Sequence, residues 1–197
     1  MMPYAAYRNL SDEDLASIVV YLRSVAPVRN PLPPTRVDFP VNYLIRRVPQ
    51  PLTSAVSGPG AQASPLERGK YLVTVGCGCH TPSDRKGPIR GLEYGGGDHL
   101  KGPWGEVASA NITQDASGIS YYDEAVFVQV MHTRYVRARK LSSIMPFGEF
   151  ANLTDDDLKA IFAYLRTLPP VQHRVDDSLP PSYCKLCRQK HGGGDQN

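Results

Sequence analysis

The sequence predicts a mostly α-helical protein: one complete domain preceded by the tail end of another. Three observations lead there. The segment Met2–Val28 matches Met145–Val171 without a gap and with nearly half its positions identical, so the chain contains a repeat of its own. Each copy sets apolar residues at helical spacing behind an acidic start. Prolines, Pro27 in the first copy and Pro169-Pro170 in the second, stop each segment.

In the first copy, Ser11 precedes an acidic turn with Asp14 three residues on, a capping-box-like start that a helix N-terminus favours. Leu15, Ile18, Val19 and Leu22 then form one apolar face. Nothing upstream of Met2 in this sequence supplies the rest of a domain, so residues 1–28 are expected to be a remnant. Residues 29–63 hold seven prolines, from Pro31 to Pro59, with Ser57-Gly58-Pro59-Gly60 near the end, the composition of an extended linker. Within it Phe39, Val41, Tyr43, Leu44 and Ile45 predict that part of the linker packs on a surface.

Residues 64–171 have the length of one ordinary domain. Near its start lies Cys77-Gly78-Cys79-His80, one residue shorter than the C-x-x-C-H spacing that attaches haem. Aligned on His80, the first cysteine position falls on Gly76, which leaves Cys79 as the natural anchor and puts a second thioether from Cys77 in question. The stretch from Ser83 to Ser109 is rich in glycine and reads as loops; with no Lys-Ser/Thr ending, it lacks the pattern of a phosphate loop. Within it Trp104 could donate its indole N–H to a propionate or fill the core. Residues Tyr122 to Thr133 read as a helix with Phe127, Val130 and Met131 on its inner face and His132 at the surface, Met131-His132 being a rival ligand pair.

The second copy brings Met145-Pro146-Phe147 and a helix whose apolar face is Leu158, Ile161, Phe162 and Leu165, capped by Thr154 with Asp157 three residues on. An imidazole from His80 and a thioether sulfur from Met145 would fill both axial positions of a haem iron and favour its reduced form. Residues 172–197 form a tail with Cys184, Cys187 and His191, donors suited to zinc with a fourth ligand still to be found, or to a Cys184–Cys187 disulfide.

These residues together resemble class I cytochromes c, in particular the multi-domain bacterial kind. Glu67 to Val73 resembles the family's N-terminal helix, whose glycine, here Gly69, permits a close crossing with the C-terminal helix carrying Tyr164. Cys79-His80-Thr81-Pro82 resembles the haem-binding stretch, and Ala110-Asn111-Ile112-Thr113 and Met145 to Phe147 resemble later elements. The resemblance implies a class I cytochrome c fold with one haem c, His80 as proximal and Met145 as distal ligand, and Asn111 near the haem edge. It also implies an electron carrier in a respiratory or dehydrogenase chain, with a redox donor and acceptor or a dehydrogenase subunit as partners, and it is no enzyme by itself.

A haem subunit of a peroxidase-like enzyme is one alternative. Another is a haem-free zinc module built from Cys77, Cys79, His80, Cys184, Cys187 and His191, which leaves the repeat unexplained.

A net charge of +3 without a basic run gives nucleic-acid binding little support. No apolar run approaches the roughly 20 residues that span a bilayer, and the sequence opens without a basic start and apolar export segment. The resemblance nevertheless implies the periplasm, where haem of the c type is attached; a lost upstream region would reconcile the two.

Overall fold

A computed structural model describes residues 7–47, 50–84, 86–102, 105–137, 139–175, 182–183, 188 and 190–191. The chain divides into two compact units, residues 1–60 and 61–197.

In the first unit, helix α1 (Asp12–Ser24) begins as its sequence dictates, with the Ser11 hydroxyl accepting from the Asp14 N–H at 3.1 Å. The linker folds back on this start: the Asp12 N–H donates to the Val56 carbonyl at 3.0 Å. A short helix α2 (Val41–Leu44) runs into a 3-10 turn at Ile45–Arg47. The expectation that Phe39, Val41, Tyr43, Leu44 and Ile45 pack on a surface is not met within this unit, where all but the last stand well exposed. The reason is the lack of a core to receive them, since Leu10 is the one buried hydrophobic residue among the unit's described residues.

The second unit is built on two crossing helices. Helix α3 (Pro65–Gly76) opens with a full capping box, Ser64 accepting from the Glu67 N–H while the Glu67 carboxylate accepts from the Ser64 N–H at 2.8 Å. This bond holds the Glu67 carboxyl below its usual range. After α3 comes a 3-10 turn, Gly78–His80.

The region from Ser83 to Ser109, expected as loops, holds two small antiparallel ladders: β1 (Ser83–Asp84) with β2 (Gly87–Pro88), and β3 (His99–Gly102) with β4 (Gly105–Ala108). Glu106 explains part of the second, sitting opposite Lys101 and pairing with it at 3.2 Å and with His99 at 3.0 Å. Strands of two to four residues surrounded by glycine carry too little alternation to be read in advance.

Helix α4 (Glu124–Thr133) starts two residues later than its periodicity suggests because Asp123 caps it, accepting from the Val126 N–H at 2.7 Å. A two-residue ladder of β5 (Tyr135–Val136) and β6 (Arg139–Lys140) leads to one turn of helix, α5 (Phe147–Phe150), and then to α6 (Asp155–Leu165), capped by Thr154 as expected. Strands β7 (Ser182–Tyr183) and β8 (Lys190–His191) pair in the tail.

Helices α3, α4 and α6 share one core, in which Val73, Phe127, Val130, Leu158, Ile161 and Leu165 are buried together and the rings of Phe127 and Phe162 stack at 5.1 Å. The apolar face read in the second copy is thus buried, with Leu165 1% and Ile161 2% exposed. The matching face of α1 is not: Leu22 is 63% and Ile18 41% exposed.

Candidate functional site

The second unit holds a half-open, largely apolar cavity of about 800 Å³, onto which elements far apart in sequence converge. That size lies within the roughly 300–1,000 Å³ of cofactor sites. Val107, Ile119, Phe127, Val130, Ile161 and Leu165 are among its apolar walls. Of the residues singled out in the sequence, Cys77, Cys79, His80, Asn111 and Met145 all line it.

His80 is placed by the 3-10 turn and by a contact 30 residues ahead: its Nδ1 lies 2.7 Å from the carbonyl oxygen of Ala110. A carbonyl only accepts, so Nδ1 carries the proton and Nε2 keeps its lone pair, the form an imidazole needs to bind a metal. Burial, which favours the neutral ring, lowers the His80 pKa, and the bond to Ala110 works in the opposite direction.

The shortened cysteine motif lies at the end of α3. The chain leaves α3 at Cys77 and reaches His80 in a 3-10 turn, with His80 N–H donating to the Cys77 carbonyl at 3.0 Å and Thr81 N–H to the Gly78 carbonyl at 3.1 Å. In a 3-10 turn residues two apart stand roughly 120° from each other around the axis, so Cys77 and Cys79 leave it in different directions. Cys77 is buried, and burial, with the neighbouring Cys79, pushes its thiol up to about 12; Cys79 is exposed at the cavity's edge.

Met145 stands half-buried on the wall, followed by Pro146 and the buried Phe147. Met131 lines the same cavity and is more deeply buried. His132 turns away, its Nε2 2.9 Å from the Asp155 carboxylate, which removes the histidine of the rival pair from the site.

Asn111 is 3% exposed and fully engaged with the protein. Its Oδ1 accepts from Thr113 N–H at 2.9 Å and Thr113 Oγ1 at 2.8 Å, and its Nδ2 donates to the Val171 carbonyl at 2.8 Å. It therefore shapes the cavity by holding the chain after α6.

Trp104, Cys184 and Cys187 lie outside the described residues; for His191 the structure describes the backbone alone, in β8. Among the described residues no cluster of three or more His, Cys, Asp or Glu is arranged to hold a metal ion. No described helix is long and apolar enough to cross a membrane.

Sequence reasoning missed the segment 171–175, whose Gln172, Arg174 and Val175 form part of the cavity wall. It follows the two prolines that end α6, where no periodicity remains to be read.

A large apolar cavity with one metal-competent imidazole, two thioether sulfurs and two cysteines on its wall suits a planar metal cofactor. The chain matches no protein-family model. It is 30% identical over 180 residues to the fructose dehydrogenase cytochrome subunit of Gluconobacter japonicus, covering 85% of this chain and 36% of that protein. It is also 30% identical to the gluconate 2-dehydrogenase cytochrome c subunit of Pantoea cypripedii, over 85% of this chain and 42% of that one. To a dihaem c-type cytochrome of Cereibacter sphaeroides it is 27% identical, over 86% of this chain and 59% of the other. The chain thus spans between about a third and three fifths of the length of these relatives. Similar in most of its sequence to cytochrome subunits, and carrying imidazole, thioether and thiols around one cavity, the chain belongs to the c-type cytochromes.

Proposed function

We propose that this protein is a carrier of single electrons with a class I cytochrome c fold, working beside a dehydrogenase subunit in the periplasm. The observation that carries the reading is the hydrogen bond from His80 Nδ1 to the Ala110 carbonyl, which leaves Nε2 as the available donor of an imidazole on an apolar cavity wall shared with Met145. Haem c, when bound there, supplies a metal that changes oxidation state by one electron without breaking a bond.

The chain's own residues do the rest. His80 and Met145 would be the protein's ligands to its metal, leaving no open site for a substrate. Cys79, and Cys77 where its sulfur reaches, would tether the haem by adding a thiol S–H across a vinyl to form a thioether, both residues lying on the cavity wall. Pro146 fixes the backbone next to Met145. The apolar walls exclude water and so limit the reorganisation that a change of charge would otherwise demand.

Residues 1–28 are, on this reading, the Met segment and last helix of a preceding cytochrome c domain. The exposed face of α1 supports it: the residues that α6 buries against α3 and α4 are repeated there and stand in solvent. The names of the relatives support the dehydrogenase partner, since two of them are cytochrome subunits of such enzymes.

The test is a visible spectrum of protein made with an export signal and haem-maturation machinery, followed by a pyridine haemochrome of the denatured chain. Six-coordinate, low-spin haem that stays with the chain on denaturation is the expected result. A colourless protein with stoichiometric zinc would overturn the proposal in favour of a haem-free metal module.

A further inference from the structure

We propose that residues 171–175 form a fixed strap that delivers Arg174 to the haem cavity as the partner of a haem propionate. The inference rests on the haem reading above and deepens it.

The strap is built into the fold at both of its faces. On the backbone side, Val171 N–H donates to Thr113 Oγ1 at 3.1 Å and His173 N–H to Ser117 Oγ at 3.2 Å, while Asn111 Nδ2 donates to the Val171 carbonyl at 2.8 Å. Thr113 and Asn111 are among the few buried polar residues of the unit, so these bonds are sheltered from water.

On the side-chain side, Val171 and His173 face a run of glycines. A Cβ on Gly95 would stand 2.8 Å from Val171 Cγ1, and one on Gly97 would stand 2.7 Å from His173 Cε1. The His173 ring also bonds the Gly95 carbonyl at 3.0 Å. With Val171 and His173 committed to the glycines, the cavity wall takes Gln172, Arg174 and Val175.

Charge then selects the ligand. Arg174 is the one lysine or arginine among the described residues on that wall, and its guanidinium makes no hydrogen bond or ion pair with another described residue. Asp115, the one carboxylate on the wall, is engaged by the Ser117 hydroxyl at 2.6 Å and the Ser117 N–H at 2.8 Å. Haem brings two carboxylates into this space, and a planar guanidinium fork matches a carboxylate in two parallel bonds.

A cation at a propionate opposes the extra positive charge of ferric haem, so Arg174 raises the midpoint potential. The experiment measures that potential at low salt in the haem-loaded full chain for R174K, R174Q, R174E and, as a control, R90Q; Arg90 is exposed and away from the cavity.

The expected result is a potential near that of the parent for R174K. R174Q should shift the ferric-to-ferrous ratio about three- to tenfold towards ferric, tenfold being about 59 mV for one electron. R174E should shift it roughly twice as far on the logarithmic scale, R90Q should do little, and added salt should shrink the differences. A merely structural strap would not follow the sign and size of the charge. Equal shifts for Lys, Gln and Glu, or a Gln shift no larger than that of R90Q, would overturn the assignment. Absence of covalent haem in the parent chain would instead sink the reading beneath it.

Discussion

Gly69 on α3 and Ala160 on α6 cross with no space for a side chain between them: a Cβ on Gly69 would run into the Ala160 carbonyl. Because the obstacle is backbone, it cannot rotate aside, and the helices must move apart. Gly69→Ala is therefore expected to gain nothing from its better helix propensity and to lose about 2–3 kcal/mol, the upper end of overpacking costs. Denaturant unfolding of the haem-loaded chain measures it; a stabilised variant would show that the crossing is looser than it looks.

One turn away, Arg68 grips Asp157 with two bonds, at 2.8 and 3.3 Å. The guanidinium holds the Asp157 carboxyl below its ordinary value of 3.8, chiefly through the hydrogen bonds. A depressed carboxylate stabilises the fold above its unfolded pKa, and the contribution fades as pH falls through the lower folded value. Both side chains are partly exposed, so a double-mutant cycle with R68Q and D157N should give a coupling of only about 0.5–1 kcal/mol at pH 7, shrinking below about pH 4. A coupling unchanged down to pH 2 would mean that the pair is held by packing and carries no charge effect.

Much of this frame is legible in the sequence, for a physical reason. Caps at Ser11 and Thr154 and the apolar stripe of α6 depend on residues a few positions apart, and each forms as its spacing predicts. The cavity is legible only in part. His80, the cysteines and Met145 announce themselves by chemistry, but the strap depends on Asn111, Thr113 and Ser117 meeting residues near 171, and contacts of that separation leave no periodic trace. Met131 packs in the core, as its place on the inner face of its helix predicts, and also lines the cavity. An apolar face such as that of α1 has the same sequence whether or not something covers it, so periodicity alone does not give its exposure.

Two methionines on one wall make the sixth ligand testable. Met145 precedes a rigid proline at the half-buried edge, whereas Met131 sits inside α4 among core residues. M145A is expected to abolish the charge-transfer band of ferric iron bound to thioether sulfur and to lower the potential, since the sulfur favours ferrous iron. M131L should keep the band and change stability by less than about 1.5 kcal/mol. The reverse pattern would assign the iron to Met131.

The cysteines offer a count. If the 3-10 turn compensates for the shortened spacing, both sulfurs are attached, and C77S and C79S should each retain covalent haem with a pyridine haemochrome band shifted to longer wavelength by the one free vinyl. A parent band already at the single-thioether position, unmoved by C77S, would mean that the buried Cys77 stays a thiol, as its pKa near 12 would allow in a folded chain closed before attachment.

The repeated helix separates burial from sequence most directly. Leu22 and Leu165 occupy the same position of the two copies, yet one is 63% and the other 1% exposed. Truncation of a fully buried leucine removes its transfer energy and leaves a cavity, so L165A should cost about 2–5 kcal/mol. L22A should fall within about 0.5 kcal/mol of the parent, because an exposed side chain has little burial to lose. Both are read from denaturant midpoints followed by haem absorbance and by helical circular dichroism, the first reporting the haem unit and the second both units. If L22A proves as costly as L165A, the face of α1 is covered in solution, and the first unit is something other than the open end of a domain.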